Sequence, residues 1–410
     1  MSVQMLLNAT PFGVRGAVLK DETPIRLLHF FQSDTAPRTG DLYWAKVGRR
    51  DPRLGALVCD LGEAGEGLLT VKDRAYTEGQ LIPAAIRREG IGGKRPLLTD
   101  KPLLKLPAAT RSLQDDAATR PGPLGQLDVP AGIVSSLRSS DEGPGRMDSI
   151  PPLVRLVTGL ASSATDEIVC SSADTAAALS EFVPTVVDIH VSDQIPSVLN
   201  DIEDDALART VALESGGALI IDQAEALTAI DLDLGASAGQ SKKGADAGLL
   251  RRALMGLGPI LSLHGLGGQV VLDLPRGATR TPKMIRDQLT AALKPYGLMN
   301  IPAVTKEGLV VMIFGQDRMP VIERLTEVFD DAHVLPGRKL RSAALAQRAF
   351  AQLTAALKED PRRKLRLTLG ADTAALWREA DATAVLARSF TERFTIEPSD
   401  AVDFQIETAP

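Results

Sequence analysis

The segment GGALIIDQAEALTAIDLDLGAS, residues 216–237, places four acids, Asp222, Glu225, Asp231 and Asp233, within what otherwise reads as a β-hairpin. Ala218 to Ile221 is an apolar run that stops at Asp222, DQAE is turn-like, and Ala226 to Leu234 alternates with the period of two that marks a strand. Thr228, Ile230, Leu232 and Leu234 then share one face, and Leu227, Ala229, Asp231 and Asp233 share the other. A second strand, GGQVVLDLPRG, ends its apolar run at Asp273. An acid leaving a sheet at a strand end points into the space where α/β sheets commonly build their sites. If the two strands are neighbours, Asp231, Asp233 and Asp273 converge. Carboxylate oxygens from two strands suit a hard divalent ion, Mg²⁺ in the first place and Mn²⁺ as the alternative, which acidifies a water and clamps a phosphoryl oxygen. The same residues also serve as a solvated strand face with Asp273 capping a turn, and Asp222 and Glu225 suit a turn on their own account.

Two basic groups flank these acids: Lys242, Lys243, Arg251 and Arg252 after the hairpin, and Arg276, Arg280, Lys283 and Arg286 after the second strand. Each group can be a solvated helix or loop face, or a surface for phosphates. Other chemistries are less well supplied. His29, His190, His264 and His333 are dispersed without metal-ligand spacing, there is no GxSxG elbow or P-loop, and the glycines of GLGPILSLHGLGGQ precede a strand where a dinucleotide fingerprint needs them to follow one.

These residues are carried by a chain of 410 residues with 44% hydrophobic content, enough for two to four domains with cores of their own. The net charge of −6 makes the local distribution of Lys and Arg matter more than the sum for any nucleic-acid partner. Two cysteines, Cys59 and Cys170, lie far apart in apolar strand-like runs and cannot build a disulfide framework or a four-thiolate zinc site, which fits a reducing cytoplasm. The N-terminal MSVQMLLNATPFG has neither the basic leader nor the apolar length of a signal peptide, and no apolar stretch approaches the ~18 residues of a membrane span.

Residues 1–37 read as two or three strands, too few to close a core alone. From 38 to 104 closely spaced short strands with Gly-containing turns suggest a five-stranded barrel of the OB type. Residues 105–150 carry Pro, Gly, Ser, Asp and Arg with little periodicity and read as a loop, linker or reduced module. Residues 151–210 read as an α/β block and 211–335 as a layered α/β domain that includes the acidic hairpin. Residues 336–410 read as a small α+β module of helix, strand, helix and strand.

SGGALIIDQAEALTAIDLD resembles the signature hairpin of the ribonuclease E/G family, and LGGQVVLDL is similar to the strand that delivers that family's second aspartate. MLLNATP, GDLYWAKVGRRDPRLGALVCDLGEAGEGLL, VDIHVSD and RSAALAQRAFAQLTAALKED resemble, in order, further segments of the same family. The resemblance implies an inserted OB-fold RNA-binding barrel and a split ribonuclease-H-like subdomain, with strands 1–37 completing the block at 151–210. It also implies a deoxyribonuclease-I-like catalytic domain and a small C-terminal α+β domain. The implied activity is metal-dependent endonucleolytic hydrolysis of single-stranded RNA to leave 5′-phosphates. Asp231 and Asp273 would be the metal ligands, Asp233 would assist where the family has a carboxamide, and Lys242, Lys243, Arg276 and Arg280 would position phosphates.

The departures from the family pattern are specific. The cysteine pair that links protomers through zinc is missing where this chain reads DDAHVLPGRKL, so zinc-linked dimerisation is excluded and a homo-oligomer would need another face. Val58 and Leu68 stand where base-stacking aromatics are expected, the 5′-phosphate sensor is reduced to 105–150, and LVVMIF after Gly308 lacks the family's charged residues. A weak or inactive RNA-binding scaffold of the same fold, and a hydrolase of smaller phosphate esters, are the alternatives.

Overall fold

Three hairpin-connected strands begin the chain: β1 (Val3–Thr10), β2 (Gly13–Lys20) and β3 (Thr23–Phe31). Asp21 and Glu22, between β2 and β3, both have positive φ, the signature of the two-residue turn whose twist matches that of the strands it joins. The structure is a computed structural model that describes residues 2–34, 36–39, 41–70, 76–91, 93–100, 140–147, 152–153, 156–157, 165–180, 187–214, 216–224, 226–235, 245–275, 282–316, 318–328, 337–391 and 393–409.

The next strands are β4 (Leu42–Asp51), β5 (Ala56–Asp60), β6 (Glu66–Leu69), β7 (Leu81–Arg88) and β8 (Leu97–Thr99). They close on themselves in the order β4-β5-β6-β8-β7-β4, with β9 (Gly145–Arg146) added outside β4. Alternation along the strands sorts their side chains. Tyr43, Ala45, Val47, Leu57, Cys59, Leu69, Ile82, Ala84, Ile86 and Leu98 fill the barrel, while Leu42, Trp44 and Ala85 face out into the core of the first sheet.

That first sheet is completed only after the barrel. The strand β10 (Glu167–Cys170) pairs in parallel with β1, and β11 (Asp188–Val191) in parallel with β10, giving the order β11-β10-β1-β2-β3. The first three strands therefore share their sheet with strands more than a hundred positions away. The helices α1 (Ala173–Ser180) and α2 (Ile195–Leu207) accompany this part. One face of the sheet packs on the barrel through Met5, Leu7 and Ile168, and the other packs Leu6, Ala17, Leu27 and Val169 on Ile195, Leu199 and Ile202 of α2.

A six-stranded sheet follows, built from β12 (Thr210–Ala212), β13 (Ala218–Gln223), β14 (Thr228–Asp233), α3 (Ala245–Leu263), β15 (Gly268–Asp273), α4 (Pro282–Leu293), β16 (Leu298–Val304) and β17 (Leu309–Phe314). Its order is β12-β13-β14-β15-β17-β16. Only β14 and β15 run parallel within it, joined by the crossover through α3 that a parallel pair requires. Ile230, Leu232, Val270, Leu272, Val310 and Met312 bury one face against Leu254, Leu257 and Leu261 of α3 and Ile285 and Leu289 of α4. The alternate residues of β14 face solvent.

The C-terminal part comprises α5 (Val321–Leu325), β18 (Thr326–Val328), β19 (Arg338–Leu340), α6 (Ser342–Glu359), β20 (Leu365–Gly370), α7 (Ala371–Glu379), α8 (Ala382–Phe390), β21 (Phe394–Ser399) and β22 (Gln405–Thr408). The small sheet has the order β21-β20-β22. The sequence reading lacked α5, β18, β19, α8 and β22. A single left-handed residue, Asp381 with φ 48°, divides α7 from α8, and so short a break leaves no Gly or Pro to mark it.

Two buried charge clusters join these parts. Glu203 on α2 accepts hydrogen bonds from Arg15 of β2 (2.6 Å), His29 of β3 (2.7 Å) and Arg348 of α6 (2.8 Å), and Arg15 also donates to Asn8 and Asn200. Burial alone would raise the Glu203 carboxyl, but Arg15, His29 and Arg348 hold it well below the usual carboxylate range, while burial lowers His29 against the pull of Glu203. In the second cluster Glu89, at the end of the barrel, takes Arg38 and Arg324 of α5, and Asp34 takes Arg38 and Arg341. Asp41 beside them accepts from the Arg38 N–H and pairs with Arg146.

Removing one member of a buried ion cluster strands the others without compensation. Glu203→Ala is expected to destabilise the protein by about 3–5 kcal/mol in denaturant unfolding, and an effect near zero would contradict the role given to this cluster. Asp41 is pushed up to about 6 by burial, against the pull of Arg146 and the Arg38 N–H. The folded state thus keeps a proton that the unfolded carboxyl has released, so the stability it contributes is present below the model-compound value of 3.8 and is lost as pH rises through about 6. Asp41→Asn should therefore gain stability relative to the parent between pH 4 and pH 7. A difference between variant and parent that stays flat across that range would contradict the assignment.

Candidate active site

The acidic hairpin forms as its alternation implies. In β14, Thr228, Ile230 and Leu232 are buried and Ala229, Asp231 and Asp233 are exposed, and Ala224 N–H closes the turn onto the Leu227 carbonyl at 3.0 Å. Gly217 begins the hairpin with φ +87°, and a Cβ there would lie 2.1 Å from the Asp233 carbonyl oxygen, so the close pairing at this end requires glycine. Asp222 is engaged in a two-pronged ion pair with Arg209 at 2.6 and 2.8 Å, which ties the hairpin to the segment before β12. The Glu225 reading falls outside the described residues.

The parallel pairing of β14 with β15 sets Asp231 directly opposite Asp273. Paired residues on adjacent strands share a face, and strands stand about 4.8 Å apart, so two carboxylates project side by side from the uncovered face of the sheet. Asp233 does not join them. Its Oδ1 accepts the Gly235 N–H at 2.8 Å, a local turn in which the carboxylate steers the chain as it leaves the strand. Among the described residues no group of three His, Cys, Asp or Glu side chains is placed to hold one ion, so the expected convergence of three acids is a convergence of two.

Asp231 and Asp273 line an open cleft of about 740 Å³ together with Leu274, Pro275, Lys306, Glu307 and Leu309. The last three come from the β16–β17 hairpin, which sequence reasoning did not connect with the acids. Because β17 runs antiparallel beside β15 with Leu309 opposite Asp273, the turn at 305–308 is returned to the strand end that carries the acid. Gly308 makes this approach sterically feasible: its φ is +122°, and a Cβ would meet the Leu274 carbonyl oxygen at 2.7 Å. The cue in the sequence is TKEGL, a glycine turn between two apolar runs, which signals a hairpin but not what lies beside it.

Lys242, Lys243, Arg276 and Arg280 fall outside the described residues. Of the flanking basic groups, Arg251 and Arg252 on α3 and Lys283 and Arg286 on α4 are exposed on the helices that cover the opposite, buried face of the sheet. His29 belongs to the Glu203 cluster, His264 bridges the carbonyls of Ile260 and Ala208, His190 is exposed 3.5 Å from Glu167, and His333 lies outside the described residues. Both cysteines are buried free thiols pushed up to about 11 by burial, Cys59 in the barrel and Cys170 in the first sheet. Among the described residues no helix is long and apolar enough to cross a membrane.

A comparison with curated proteins finds no match. The model of the ribonuclease E/G family matches residues 147–313, the span that runs from β10 through β17 and contains both acids and the 305–308 turn. The paired acids lie inside that span, so this part of the chain, residues 147–313, is similar to the ribonuclease E/G family.

Proposed function

We propose that the protein is a metal-dependent endoribonuclease that cuts single-stranded RNA and leaves 5′-phosphate products. The observation that carries this reading is the register of Asp231 with Asp273 at the edge of an open cleft, within the segment that matches the family. Like charges directly opposite on neighbouring strands are unfavourable in themselves, and a bound cation relieves them. The donor set suits Mg²⁺ or Mn²⁺ more than a caged ion: two oxygen-bearing side chains, an open cleft, and room for the waters that Mg²⁺ retains. When bound, such an ion supplies Lewis acidity at the phosphoryl group and a more acidic water. Asp231 and Asp273 hold it, Asp233 orders the exit from β14, and Lys242, Lys243, Arg276 and Arg280 meet the RNA backbone.

The remaining architecture is consistent with this assignment. A closed five-strand barrel inserted into a five-stranded sheet supports the OB and split ribonuclease-H-like readings, and the two-layer sheet with α3 and α4 supports the deoxyribonuclease-I-like one. Val58 and Leu68 are cross-strand partners, half-buried and directed away from the barrel core, so that patch offers bases an aliphatic surface. Buried Tyr43 and Trp44 cannot stack there. RNA grip by the barrel is accordingly weak, and the cleft carries more of the binding. Most of the reduced 5′ sensor, at 105–150, falls outside the described residues. Zinc has no part in this reading, and a homo-oligomer, if formed, uses an apolar face.

Asp231→Asn and Asp273→Asn are each expected to lower Mg²⁺-dependent cleavage of a labelled RNA oligomer by roughly a hundredfold or more, with circular dichroism and thermal midpoint close to the parent. Cleavage by both variants at the parent rate would overturn the site, and a parent that binds RNA without cutting it would favour the scaffold alternative. Val58→Phe restores a stacking surface, worth about 1–3 kcal/mol per base, and should tighten RNA binding measured by fluorescence anisotropy at least severalfold. Unchanged affinity would mean that bases do not reach this patch.

A further inference from the structure

The cleft beside Asp231 and Asp273 presents a difficulty for any phosphodiester. Its described lining holds three acids, Asp231, Asp273 and Glu307, and a single cation, Lys306, and an RNA strand brings further negative charge. Lys306 is exposed, but the backbone beneath it is fixed. Thr305 N–H donates to the Leu309 carbonyl at 2.8 Å, Leu309 N–H donates to the Thr305 hydroxyl at 3.2 Å, and Leu274 N–H donates to the Gly308 carbonyl at 3.1 Å. The last of these bonds clips the turn to the residue that follows Asp273. At Gly308 a Cβ would lie 3.6 Å from the Asp273 Oδ1, which measures how closely the turn approaches the acid.

A lysine ammonium is a compact charge on a flexible four-carbon stem, suited to a non-bridging phosphate oxygen approached from several directions. Held on this turn, it reaches into the cleft from the side opposite β14. Resting on the reading of this cleft as a nuclease site, we propose that Lys306 is a positioning residue that holds a phosphate of the bound RNA strand next to Asp273. The cleft-side positions of β17 in LVVMIF are apolar. The turn thus contributes the cation while the strand contributes only packing.

The test uses the full chain, a labelled single-stranded RNA oligomer and no divalent metal, with affinity read by anisotropy across a range of salt concentrations. A lost phosphate contact on single-stranded nucleic acid lowers the slope of log affinity against log salt by about 0.7. Lys306→Gln is expected to lower the slope by that amount and to weaken binding severalfold, whereas Lys306→Arg, which keeps the charge, retains the parent slope. Thermal midpoints of both variants should match the parent. If Lys306→Gln leaves slope and affinity unchanged, or if the parent binds no RNA, the proposal is overturned. Cleavage by the parent in Mg²⁺, measured in parallel with Asp231→Asn, separates this outcome from failure of the nuclease reading: an active parent with an unaffected Lys306→Gln rejects the lysine alone. A parent that binds through Lys306 but never cuts rejects the nuclease reading and keeps the contact.

Discussion

The parallel pairing of β14 with β15 is the constraint on which the candidate site depends. Ile230, Leu232, Val270 and Leu272 must all reach the same buried layer beneath α3 and α4, and a slip of either strand by one residue would turn its two apolar side chains toward solvent. The apolar residues therefore fix the register, and the register in turn fixes two carboxylates side by side. The site is a by-product of core packing in this sense: the acids do not bring the strands together, and would by themselves oppose it. Core burial, at about 25 cal/mol per Å² of apolar surface, outweighs the repulsion of two solvated charges, which is about 1 kcal/mol at such distances in water.

What could be read from the sequence follows the same division. The two faces of the hairpin were legible because period-two alternation is local, and β14 obeys it residue by residue. That Asp273 ends a strand was legible for the same reason, but its exact partner was not, because the register is decided by packing under the α3 crossover. Asp233 shows the limit of alternation: it lies on the expected face, yet its carboxylate is taken by the backbone N–H two residues on, a local competition that periodicity does not report. Lys306 was invisible for another reason. A turn residue acquires neighbours only when two strands pair, and nothing in TKEGL names β15.

The buried charges were the least legible part of the chain. Arg15, His29, Glu203 and Arg348 lie in four separate elements, and Glu203 is 188 and 174 residues away from its first two partners. Each taken alone resembles a surface residue. Together they join the first sheet, α2 and α6, while Glu89 with Arg38 and Arg324 joins the barrel to α5. Such clusters add little net stability compared with apolar packing, but they penalise any arrangement that leaves a member unpaired. They make the relative placement of the parts specific where apolar surfaces alone would tolerate sliding.

The insertion of the barrel between β3 and β10 also has a temporal side. Gln4 of β1 bonds Glu167 of β10, which is 163 positions later. At a synthesis rate of about 5–20 residues per second, β1 leaves the ribosome roughly ten to thirty seconds before the strand it must pair with. During that interval one edge of β1 is unpaired, while the strands β4 to β8 of the barrel are already made. Its outward Leu42 and Trp44 then offer β1 to β3 an apolar surface to rest on before β10 arrives. An insertion that interrupts a sheet in the sequence thereby acts, during synthesis, as the support for its unfinished half.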